Sequence, residues 1–206
     1  MDHQGRVTVR PAEFTLVPFD AAHIAAAVEA AASRVGFPPD VAVELTVDEE
    51  LFAPLVGSLS DVVDGRAVCW ISGGNLEDTR RPRHFSEAQA AVDFALLLLR
   101  AGDRLEPGFA GAPPDAGLTL GQRAAWDAWA TGRAERLGLA VRRQRTLYDF
   151  RLQHGFTDVA DRVFERLWSA DTLAWVDLVA ACAETGAADR PPAKVPVDVL
   201  RRAGDD

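Results

Sequence analysis

Hydrophobic positions change period several times along the first hundred residues, and each change predicts an element. Val41, Val43, Leu45 and Val47 alternate with Ala42, Glu44 and Thr46, the pattern of a strand with one buried and one wet face. Asp20 stands where an N-cap belongs. The Ala-rich stretch 21–35 follows, with Ile24, Val28 and Val35 along one face and Gly36 just beyond. Val7–Arg10 reads as a short strand ended by Pro11, and Phe14–Phe19 as a second strand candidate rich in β-formers. A strand–helix–strand unit over 13–47 then implies a right-handed parallel crossover.

Asp64-Gly65 lies between Asp61-Val62-Val63 and Ala67-Val68-Cys69, a strong short-range hairpin signal. The strand from Arg66 to Ser72 is apolar on both faces, which places it in the middle of a sheet. Pro54 and Gly57 leave residues 51–63 open between helix and strand. Ser86 and Gln89 carry the spacing of a capping box, and the helix to Arg100 holds four consecutive leucines, Leu96–Leu99.

From 101 the pattern changes. Gly and Pro crowd the segment 105–118, which reads as a connection, and everything after it is helical. Four helices are expected: 120–137, 140–154, 158–168 and 171–184, punctuated by Gly138, Gly155 and Gly186. A Pro-containing tail covers 187–206. The expected fold is α+β: a small mixed sheet of about four strands packed by helices over 1–104, then a mostly helical half over 119–186.

A chain of 206 residues buries roughly 70% of its unfolded surface, so neither disulfides nor a structural metal is needed. Cys69 and Cys182 lie far apart in apolar runs, as reduced core thiols in a reducing cytosol would. No apolar segment follows the first six residues, and the run Phe94–Leu99 is far short of a membrane span, so a soluble cytoplasmic protein is expected. All but one of the 22 basic residues are arginine, with Lys194 the exception, which we read as the codon bias of a GC-rich bacterium.

The net charge of −9 is unevenly spread. Residues 13–64 hold ten acids against Arg34 alone and themselves net −9, whereas residues 133–151 net +4. An acidic first half argues against nucleic acid as a general partner. The one helix pair with helix-turn-helix spacing, 158–184, puts Asp171, Asp177 and Glu184 and no base on its second helix, so DNA is excluded there.

Candidate chemistry is sparse. Arg80, Arg81, Arg83 and His84 precede a helix N-terminus and follow Gly73-Gly74, a setting in which guanidinium forks and free N–H groups suit a small anion. Phosphate-loop and dinucleotide patterns are absent, and Glu77 and Asp78 are close enough to neutralise the arginines. Glu44, Asp48 and His84 are the candidate acid/base groups, while Asp48-Glu49-Glu50 also suits the first turn of a helix on dipole grounds alone. The four histidines are scattered and no cysteine lies at ligand spacing, so no metal and no cofactor is expected. His154 reads as the cation at a helix C-terminus. The aromatic residues 126–175 read mainly as core, and Arg142, Arg143 and Arg145 as partner-binding residues that suit an acidic protein or phosphates.

Two functions are consistent with this. One is a non-catalytic protein-interaction or regulatory protein. The alternative is a small α/β enzyme or ligand-binding domain with an anion site at 73–86. Oligomeric state is not legible.

Overall fold

The computed structural model describes residues 5–54, 56–78 and 80–187. Contacts divide the chain into two compact units, the first ending at Gly102 and the second beginning at Asp103. The tail beyond Ala187 lies outside the described residues.

In the first unit β1 (Val7–Arg10) leads to α1 (Ala21–Val35) and back to β2 (Val43–Asp48), which pairs with β1 in parallel, Val7 opposite Val43. Asp20 accepts from the His23 N–H at 2.7 Å, and the helix closes on Gly36 at φ 68°. The crossover therefore starts from β1. Residues 14–19 do not form the expected strand, for a visible reason. The Glu49 carboxylate takes the N–H groups of Thr15 (2.9 Å) and Leu16 (2.7 Å) and the Thr15 hydroxyl, occupying donors that a ladder would use. Val17 and Phe19 are buried singly instead.

β3 (Ser58–Val63) and β4 (Arg66–Ser72) form the expected hairpin, turning through Asp64 (φ 50°) and Gly65 (φ 74°) as a primed turn requires. β4 also pairs in parallel with β2, so the order is β1-β2-β4-β3 and β4 is interior. Val43 and Leu45 of β2, Cys69 of β4, Val28 of α1 and Phe94, Leu97 and Leu98 of α2 (Glu87–Leu105) gather on one face. Ser60 ties β3 to the same helix by donating to the Leu97 carbonyl at 2.9 Å. Both helices thus cover one side of the sheet, and Trp70 and Leu59 pair on the other.

The residues expected as a basic loop form a second, two-stranded ribbon: β5 (Glu77–Asp78) pairs antiparallel with β6 (Arg81–Phe85). Ser86 accepts from the Gln89 N–H at 3.4 Å, but the Ser86 N–H donates to the Leu76 carbonyl at 2.8 Å instead of to the Gln89 side chain, so the capping box is half made.

In the second unit α3 (Leu120–Arg136) packs against α4 (Arg143–His154), α5 (Asp158–Ser169) and α6 (Trp175–Glu184). Thr119 and Gln122 form a full capping box at its start. α6 starts four residues later than its pattern suggests, because Asp177 accepts from the Ala174 N–H at 2.8 Å and fixes the first turn there. The core holds Phe109, Trp126, Trp129, Phe150, Phe164, Leu167 and Trp168. The Gly/Pro-rich segment belongs to this core: Phe109 and Leu118 are buried, and Asp115, fully buried, pairs with Arg104 at 2.7 Å. His154 is the last residue of α4, the helix terminus expected for it, but it is a buried bridge stacked on Phe150 at 3.9 Å, with one ring nitrogen 2.6 Å from the Thr185 hydroxyl and the other 3.0 Å from the Gly121 carbonyl.

Candidate functional site

Among the described residues two places are candidate sites, one in each unit. In the first, the segments leaving the carboxyl ends of β2 and β4 are tied together, the position at which open α/β sheets hold their ligands. Gly74 donates to the Leu51 carbonyl at 2.8 Å, and the Gly57 N–H meets the Asn75 side-chain oxygen at 2.8 Å and the Ser72 hydroxyl at 3.1 Å. A Cβ on Gly73 would lie 3.2 Å from the Asp48 carbonyl, so this glycine serves a close approach of the chain to itself. Asp93 stands below the network, receiving Asn75 and Gln89. Burial pushes its carboxyl up to about 6, against the smaller opposing effect of those two hydrogen bonds.

Two cavities flank the segment 51–57. One, of about 340 Å³, is lined by Leu51, Pro54, Val56, Gly57 and Trp70. The other, of about 280 Å³, is lined by Phe52, Ala53, Glu77, Asp78, Pro82 and Arg83. Glu77 is 4% exposed; one carboxylate oxygen accepts from the Arg83 N–H at 2.9 Å and the other is buried with no hydrogen-bond partner.

The basic residues are held as follows. Arg80 donates its N–H to Asp78 at 2.9 Å, and the Arg81 guanidinium lies 3.4 Å from the same carboxylate. The Arg80 N–H foremost, with Arg81 beside it, keeps the Asp78 carboxyl below the usual range. Arg83 sits at φ 65° with its guanidinium 5.4 Å from the Phe52 ring centre. The His84 ring rests 3.2 Å from the Pro82 carbonyl and is exposed. Of the four, Arg83 lines one of these two cavities.

The acid/base candidates are not brought to it. Glu44 lies toward the opposite end of β2, paired with Arg66. Asp48 accepts from the Glu50 N–H at 3.1 Å in a tight turn, not in the helix that three successive acids suggest. For Glu49, partial burial pushes the carboxyl up, but the hydrogen bonds from Leu16, Thr15 and Val17 outweigh it and hold the group below its ordinary value. Among the described residues no cluster of His, Cys, Asp and Glu could hold a metal ion. Burial lifts the Cys182 thiol to about 11, far from a nucleophile's range.

The second place is on α4 and the turn that follows it, since α4 ends at His154 and Phe156 lies just beyond Gly155. Tyr148, Leu152 and Phe156 are 50%, 45% and 62% exposed. They stand four residues apart, and the Tyr148 and Phe156 rings meet edge to face at 5.9 Å, so the patch is continuous. The buried residues Phe150 and His154 lie on the opposite side of the same helix. Arg145, three positions before Tyr148, is exposed and bonded to Asp149 at 2.8 Å. Arg142 is exposed at the N-cap position, whereas Arg143 is turned inward to Glu165 and the faces of Phe164 and Trp168. Sequence reading placed Tyr148 and Phe156 in the core with their neighbours. The signal that separates them is phase: 148 and 152 share a face that 150 and 154 do not. No sequence signal marked Glu77 or Phe52 as cavity residues.

No protein family, curated protein or solved structure matches the chain.

Proposed function

We propose that this chain is a non-catalytic protein-interaction module of the bacterial cytoplasm, and that the α4 face docks an acidic, amphipathic segment of a partner protein. The observation that carries this reading is the contrast within the second unit. Phe109, Trp126, Trp129, Phe150, Phe164 and Trp168 are all buried, while Tyr148 and Phe156 are held outward in contact with each other. Aromatic residues at an exposed, continuous site are the usual anchors of protein interfaces.

The charge around the patch selects the partner. Of the four arginines within residues 142–154, Arg143 is turned inward to Glu165 and Arg151 is paired with Asp161, which leaves Arg142 and Arg145 as the exposed cations. The Arg145–Asp149 pair is exposed and screened by solvent, so Arg145 is readily exchanged to a carboxylate on a partner. The mostly apolar helix of a partner, edged with Glu or Asp, fits both features. The two buried cysteines, both as thiols, and the arginine-for-lysine bias support the cytoplasmic and GC-rich bacterial part of the reading. Among the described residues no helix is long and apolar enough to cross a membrane.

The test compares wild-type bait with Tyr148→Ser/Phe156→Ser bait against a synthetic Leu/Glu amphipathic helix and its Leu/Lys counterpart. Wild type should bind the acidic peptide alone, and the double variant should lose at least tenfold while keeping its melting temperature. Equal binding by both baits, or preference for the basic peptide, removes the reading.

A further inference from the structure

We propose that the cavity between residues 52–53 and the β5–β6 ribbon binds a small zwitterion, with its ammonium on Glu77 Oε1 and its carboxylate on the Arg83 guanidinium. Glu77 is 4% exposed, and Oε1 is buried without a hydrogen-bond partner, while Oε2 is occupied by the Arg83 N–H. A buried carboxylate oxygen left unmatched is costly, and a ligand N–H donor relieves that cost. The cavity, about 280 Å³, is many times the share of one water in the liquid, so it has room for a ligand of several heavy atoms.

The second half of the site is Arg83. Its guanidinium makes no hydrogen bond or ion pair among the described residues and lies over the Phe52 ring. Its left-handed backbone, at φ 65°, spends the N–H on Glu77 and leaves the side chain outside that contact. Asp78, the other charge in the lining, is already engaged by the Arg80 N–H and by Arg81. The two uncommitted charges are therefore of opposite sign. A simple cation would meet Arg83 and a simple anion would meet Glu77; a molecule carrying both matches both. Phe52, Ala53 and Pro82 supply apolar surface for a small side chain. An α-amino acid has this composition. The inference is independent of the α4 docking face, which lies in the other unit.

The experiment is calorimetric titration of the full chain with glycine, L-valine and L-leucine, and with two half-ligands, 3-methylbutylamine and 4-methylpentanoate. At least one amino acid should bind saturably, and each half-ligand at least tenfold more weakly than leucine, since a hydrogen bond to a charged group carries that weight. Glu77→Gln should cost the amino acid at least tenfold and leave the acid half-ligand unchanged; Arg83→Ala should do the reverse, sparing the amine. Circular dichroism checks the fold. Should Glu77→Gln not fold, Arg83→Ala decides, because that side chain is exposed. Absence of saturable binding by every probe, amine binding as tight as leucine, or variants that bind leucine like wild type would each overturn the proposal.

Discussion

Replacing Gly132 by alanine tests how the second unit is held together, because two principles give opposite signs. In mid-helix, alanine is favoured over glycine by about 1 kcal/mol, so the change should stabilise α3. The packing says otherwise. A Cβ on Gly132 would stand 2.2 Å from the Trp168 carbonyl oxygen, 2.9 Å from its carbon and 3.0 Å from Cα, all of them backbone. Ordinary C···O contacts begin near ~3.3 Å, so α3 and the end of α5 would have to part by about 1 Å. That backbone is also fixed from α3: Arg136 donates to the carbonyls of Trp168 (2.6 Å) and Ala170 (2.7 Å), and Trp129 donates to Ala170 at 3.0 Å. The Trp168 indole donates to Glu135 at 2.8 Å. Overpacking costs about 1–3 kcal/mol, and loosening several of these bonds adds about 0.5–1.5 kcal/mol for each one lost. After the propensity gain, the net is a loss of about 2–4 kcal/mol. For a unit of this size that lowers the melting temperature by roughly 10 °C or more. Urea and thermal unfolding of Gly132→Ala against wild type, followed by tryptophan fluorescence, reads it directly. A variant as stable as wild type, or more so, would refute the close helix contact.

Asp93 should make stability fall as pH rises. Its carboxyl is raised to about 6 from 3.8, so the folded state holds the proton more tightly than the unfolded one. Its contribution is complete below about pH 4 and is lost as pH rises through about 6. The loss is at most about 3 kcal/mol, and Asp93→Asn should flatten that window in urea titrations from pH 4 to 7. Asp115→Ala should cost about 3–5 kcal/mol, since it takes the carboxylate from Arg104, whose side chain is only 5% exposed and lies over Trp126; calorimetry of the variant checks it.

Where one residue type determined the local outcome, the sequence was a good guide. Asp20, Asp64-Gly65 and the two-faced apolar strand 66–72 each specify their element by short-range chemistry, and each is found as expected. Legibility failed where a distant side chain intervened. Glu49, more than thirty residues away, draws residues 14–19 out of a strand. At α6 the deciding contact is local, the Ala174 N–H on Asp177 three residues on, and Asp171, which also suits a helix start, masks it. The basic run 80–84 looked like an open loop because nothing local shows that Glu77 and Asp78 fold back on it as the other arm of a ribbon. The same contact makes the cavity, so the residues that form it, Glu77 and Phe52, could not be singled out beforehand. On α4, periodicity was available but weak: charged and apolar residues are interspersed all round the helix, and only packing separates Phe150 from Tyr148.

The docking reading is tested most directly at Tyr148, the only tyrosine in the chain. Incorporating 3-fluorotyrosine gives a single ¹⁹F resonance on the α4 face. Titration with the Leu/Glu amphipathic helix should move that resonance saturably, less so as salt is raised, while the Leu/Lys counterpart leaves it in place. A resonance that stays fixed while the acidic peptide binds, or that responds equally to both peptides, would contradict the assignment of this face as the docking surface.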